Sequence, residues 1–198
     1  MEKDLRKNDI ILTALFGALW GVIELSLGTV LHASKLPFRG TILTIVAVVL
    51  ISVSRSFITY KGSVIAISSV AASLKLITIP GFNITPFIAI IVEGIIGELV
   101  FTVLSYNFIS SLITGSLILI YTLIHSFVMQ GVFFGFNIYN VYIDIINSIG
   151  KSINYKGEIS YLIIPLIVFI YIFLGSLAGW FGWAAANRAK EILKENLV

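Results

Sequence analysis

Six apolar runs, each long enough to cross a bilayer, leave this chain little choice of fold. They cover residues 10–31, 41–58, 63–79, 84–104, 109–134 and 161–186. A hydrocarbon core about 30 Å thick needs about 20 apolar helical residues. Inside it every backbone N–H and C=O must be paired, and a helix does this within one segment. Short polar breaks separate the runs: His32 to Gly40, Tyr60-Lys61-Gly62, Pro80-Gly81 and Ser105-Tyr106-Asn107. The expectation is an all-α polytopic membrane protein: a six-helix bundle forming one integral membrane domain over residues 1–198. Composition agrees. Only 12% of residues are charged, about half the share in a soluble domain. No small-residue cleavage site follows the first run, so it is expected to be retained as a span.

Lysine and arginine in the flanks set the orientation. With the N-terminus in the cytoplasm, that side carries Lys3, Arg6, Lys7, Arg55, Lys61, Arg188, Lys190 and Lys194. The other side carries Lys35, Arg39, Lys151 and Lys156. This bias predicts both termini inside the cell membrane, with Trp180 and Trp183 at the inner interface. The connection 135–160 is too polar to span. Ile138, Val141, Tyr142, Ile145 and Ile149 recur at helical spacing, with Asn140, Asp144, Asn147 and Ser148 opposite. That pattern predicts a helix lying flat on the outer surface. Residues 187–198 read as a short, charged, cytoplasmic helical tail.

The runs are not wholly apolar. Glu24, Lys75, Glu93 and Glu98 lie inside them, with His125 as a fifth ionisable group. Each charge near mid-bilayer costs about 2.5–3.5 kcal/mol on the insertion scale. At about 1.5 Å per residue, Glu24 and Lys75 lie about 21 Å from the inner ends of their helices. His125 lies about 22 Å up, and Glu93 about 14 Å below the outer end of its helix. These four therefore share the outer half or midplane, as one polar pocket opening outward. Gln130 is placed at its mouth. Glu98 lies deeper, about 140° around the helix from Glu93. Lys75 can pair with Glu93 or Glu24. Three carboxylates against one lysine leave a negative excess, which calls for a proton, a cation or a cationic ligand.

Small residues form a second pattern. Ala14 and Ala18 are four apart, as are Gly17 and Gly21, and together they predict a smooth face for a partner helix. Glu24 points about 80° away from the alanine line, toward the bundle interior. Gly175 with Gly179, and Gly94 with Gly97, read as internal packing faces.

Several chemistries are excluded or unsupported. The chain has no cysteine, hence no thiolate metal site and no Cys nucleophile. It lacks GxSxG, HExxH and P-loop motifs. The expectation is a non-enzyme with no catalytic residues, no metal and no cofactor, and no nucleic-acid partner.

The stretches Gly17-Ala18-Leu19-Trp20-Gly21-Val22-Ile23-Glu24, Leu36-Pro37-Phe38-Arg39-Gly40 and Glu93-Gly94-Ile95-Ile96-Gly97-Glu98 resemble members of a family. With the Ala14-xxx-Ala18 motif and the six-span topology, the chain looks like a substrate-binding S component of an energy-coupling factor (ECF) transporter. The resemblance implies capture of a vitamin or related small organic micronutrient from outside. It implies docking of a transmembrane T component on Ala14 and Ala18, two ATPase subunits that power release, and a lid over residues 32–40. The substrate residues come from the inference above and not from the family. The alternative is a stand-alone small proton- or cation-coupled transporter or channel, in which buried Glu, Lys and His form a relay.

Overall fold

The computed structural model describes residues 2–34, 38–78, 84–152 and 159–196. Lys35, Leu36, Pro37, Pro80, Gly81, Asn83 and Lys156 lie outside these ranges, as do the side chains of Lys3, Arg6, Ile149 and Lys151. The described residues form seven helices and no strand: α1 (Glu2–Ala33), α2 (Arg39–Phe57), α3 (Ser63–Thr78), α4 (Ile84–Leu104), α5 (Phe108–Phe134), α6 (Ile138–Ser152) and α7 (Ser160–Glu195). Five of them are long and apolar enough to cross a membrane: α1, α2, α4, α5 and α7. α3 is apolar but has only 16 residues. Leucine, isoleucine, valine and phenylalanine side chains are exposed around the bundle, among them Leu15 and Val22 on α1, Val103 on α4 and Phe169 on α7. Such a surface suits lipid and not water.

Helix ends follow local chemistry. Pro86 sits in the first turn of α4, where its missing N–H breaks no helical bond. Asn107 caps α5 in a reciprocal capping box with Ser110, both bonds being 2.9 Å. α7 runs 36 residues without a break, about 54 Å. The charged tail is therefore the continuation of the last span and not a separate helix.

The start of α1 and the end of α7 lie at the same end of the bundle as the α2–α3 and α4–α5 turns. Thr13 bonds Tyr60 there at 2.9 Å, and Phe108 packs edge-on against Trp183. The other end gathers the C-terminal ends of α1 and α3, the N-terminal ends of α2 and α4, α6 and the start of α7. Thr41 meets the Tyr171 hydroxyl at 2.9 Å near that end. α3 is clasped between α1 and α4, and α5 packs along α7. Glycine permits the closest approaches. A Cβ on Gly175 would fall 2.7 Å from the Gly115 carbonyl carbon and from Ser116 Cα. Ser116 and Ser176 then bond across this seam at 2.8 Å. Gly94 faces Ser68 and Val64, and Gly97 faces Ile51 and Val64. The pairs read as packing faces are packing faces.

The region expected to lie flat does form a helix, α6. Tyr139 anchors it by donating to the Phe127 carbonyl at 2.8 Å and by seating its ring against Gly131. Val141, Tyr142 and Ile145 are left exposed.

Candidate functional site

At the end of the bundle where α1 ends and α2 begins, five helices line a cavity of about 720 Å3. That falls within the roughly 300–1,000 Å3 typical of small-molecule sites. Glu24 and Gly28 of α1, Arg39 and Thr44 of α2, Lys75 of α3, Glu93 of α4, and Tyr121, Thr122 and His125 of α5 all line it. Four sequence-derived candidates, Glu24, Lys75, Glu93 and His125, are thus brought together from four helices. Gln130 is not among the lining residues. Its Oε1 accepts the Tyr142 hydroxyl of α6 at 2.6 Å. The helical wheel could have shown this, because five residues past His125 is about 140° of rotation.

Lys75 chooses Glu24. Its Nζ lies 3.1 Å from Glu24 Oε2 and donates to the Glu24 carbonyl at 2.7 Å. Gly28 makes room for it: a Cβ there would stand 3.0 Å from Nζ. The ion pair is mostly buried, with side chains 12% and 8% exposed, and it staples α1 to α3.

Glu93, only 4% exposed, is held differently. Thr44 donates to its Oε1 at 2.8 Å. The Thr122 hydroxyl lies 3.4 Å from the same oxygen while also donating to the Ile118 carbonyl at 3.0 Å. Neither threonine was singled out from the sequence, because intramembrane threonines usually bond their own helix, as Thr122 also does. Glu93 Oε2 has no hydrogen-bond donor among the described residues and borders the cavity. His125 stands one turn beyond Tyr121, whose hydroxyl lies 3.3 Å from His125 Nδ1.

Glu98 does not belong to this site. Its Oε1 accepts Gly62 N at 2.7 Å and Thr102 Oγ1 at 2.9 Å, and its Oε2 accepts Val64 N at 2.9 Å. It caps the N-terminus of α3, where unpaired N–H groups and the helix dipole favour a carboxylate. The expected excess of three carboxylates over one lysine is corrected accordingly. Deep in the cavity two acids, Glu24 and Glu93, face one base, Lys75. Toward the mouth Arg39 restores the balance, and its Nη1 bonds His32 Nδ1. Arg39 is five residues from Thr44, about 7.5 Å along α2. The cavity is therefore acidic at its floor and basic at its mouth.

The small-residue face of α1 divides in two. A Cβ on Gly17 would fall 2.7 Å from Val70 Cβ, and one on Gly21 2.6 Å from Leu74 Cδ1. Both glycines face α3 and do not share an outward surface with the alanines. Ala14 is exposed and Ala18 half-exposed, on the lipid side beside Leu15 and Val22.

No family model, curated protein or solved structure matches the chain.

Proposed function

We propose that this protein is a membrane-embedded substrate-capture subunit that takes a small organic micronutrient from outside the cell. The observation that carries the reading is one cavity of small-molecule size with a buried carboxylate at its floor. Glu93 Oε2 has no hydrogen-bond donor among the described residues, and its burial strengthens any charged contact that it makes. The ligand's inner end is a cationic group or a strong hydrogen-bond donor. Lys75 is engaged by Glu24, so it does not cancel Glu93 directly.

The finer topology belongs to the same proposal. α3 counts as a sixth span, its shortness covered by α1 and α4 on either side. The termini and the α2–α3 and α4–α5 turns lie in the cytoplasm, supported by Arg55, Lys61, Arg188 and Lys190 at that end. The cavity then opens outward in the cell membrane. As the ECF resemblance implies, a T component docks against Ala14 and Ala18, and two ATPases drive release inward. The exposure of the alanines leaves that face free for a helix.

The test is to purify the full chain gently, release whatever it retains and identify it by mass spectrometry. A small polar organic molecule, bound by wild type and lost from Glu93→Gln, supports the proposal. Solute uptake into liposomes by this chain alone would favour the stand-alone transporter instead.

A further inference from the structure

A second cavity, of about 280 Å3, lies at the opposite end of the bundle, between the α2–α3 and α4–α5 turns. Arg55, Thr59, Lys61, Phe101, Thr102 and Tyr106 line it, and Ser105 completes the wall. Its notable resident is Arg55. This arginine is only 8% exposed, yet it has no carboxylate partner among the described residues. The ion pairs among the described residues are Lys75–Glu24 and Arg188–Glu191. The carboxylate packed at the same junction, Glu98, already accepts three hydrogen bonds.

Arg55 Nη1 serves the fold, its two N–H groups shared among Ile58 O at 3.2 Å, Tyr60 O at 2.8 Å and Ser63 Oγ at 3.1 Å. Those bonds hold the guanidinium still. Its Nη2 and Nε have no acceptor among the described residues, and neither is a sealed, unpaired atom. They remain available to the cavity. Lys61, exposed and without an ion pair among the described residues, joins it there. Lys190 of α7 does not line the cavity but lies near it, its Nζ 5.5 Å from the Tyr106 ring centre. A planar fork backed by point charges matches phosphate geometry. A buried arginine without a counter-charge gains most when one arrives.

We propose that this cavity binds a phosphate group, presented by the headgroup of an anionic lipid. Basic pockets between helices at the cytoplasmic end of a bundle are where such headgroups are reachable. The site shares no residue with the outer cavity, and only its placement at the inner leaflet rests on the orientation proposed above.

The full chain in nanodiscs tests this. Discs of phosphatidylcholine alone are compared with an equal mixture of phosphatidylcholine and phosphatidylglycerol, and inorganic phosphate is titrated into the first. The expected result is a higher thermal midpoint in the mixed discs, with phosphatidylglycerol retained in native mass spectra. Lys61→Gln, which removes no hydrogen bond seen in the structure, should weaken that retention about five-fold. Arg55→Lys keeps the charge, loses the fork, and should weaken it further. A matching stabilisation by inorganic phosphate would keep the phosphate site but overturn the lipid source. No response to either probe, or retention unchanged in Lys61→Gln and Arg55→Lys, would overturn the proposal.

Discussion

Glu93 and Glu98 stand five positions apart on one helix, and their surroundings give them different work. Glu98 accepts from two backbone N–H groups and a threonine, so its substitution should act on the fold. Glu98→Ala leaves the Gly62 and Val64 donors unpaired. It should cost on the order of 1–3 kcal/mol of stability, read as a lowered thermal midpoint with ligand affinity retained. Glu93→Gln keeps an oxygen able to accept from Thr44 and replaces the second carboxylate oxygen, the one offered to the ligand, by an amide donor. It should weaken ligand binding by roughly 1.5–3 kcal/mol and leave the midpoint nearly unchanged. A binding isotherm beside a melting curve checks both variants. A large loss of stability with unchanged affinity in Glu93→Gln would mark Glu93 as structural and remove the site. The sequence showed that both carboxylates were buried but not this division. Depth and angle follow from helical rise and rotation, whereas Glu98's partners are backbone groups of α3, which a helical wheel does not contain.

Helices were more legible than side-chain partners. The fourth run, 84–104, coincides with α4, and the fifth differs from α5 by one residue. α1 and α7 extend well past their apolar runs because apolarity marks the lipid-facing length, while helical bonding continues into water. Face assignment succeeded where both partners were small: Gly115, Gly175 and Gly179 meet backbone to backbone. It failed for Gly17 and Gly21, since four-residue spacing signals a close approach without naming the neighbour. Two predictions separate the kinds of face. Gly175→Val places bulk against the Gly115 and Ser116 backbone, so the α5–α7 seam should open at a cost of about 1–3 kcal/mol or more, seen as a lower melting point in detergent. Ala14→Leu with Ala18→Leu adds bulk on the exposed side of α1. That double variant should melt like wild type and bind ligand normally. Under the docking proposal it should also fail to co-purify with a T component and ATPases, and normal assembly would remove that role.

At the scale of the whole molecule, charge is sorted along the bundle as well as within it. One end holds an acid-floored cavity with Arg39 at its mouth; the other gathers Arg55, Lys61, Arg188 and Lys190. Basic residues in short flanks are retained on the cytoplasmic side, so the second end should face inward and the first outward. The span count bears on the same point. α3 has 16 residues, about 24 Å of rise, less than a full bilayer core. Were it not to cross, the chain would have five spans and its ends would lie on opposite sides. Yet Thr13 of α1 bonds Tyr60 beside the start of α3, and Lys75 near its end bonds Glu24, eleven residues further along α1. α3 therefore runs beside the membrane-length α1 and covers the stretch between those two contacts, as the proposed sixth span requires. A reporter active only outside the cell, fused after Val198, should be silent, while the same reporter inserted in the α1–α2 connection should be active. Activity at Val198 would remove the sixth span and, with it, the outward opening of the cavity.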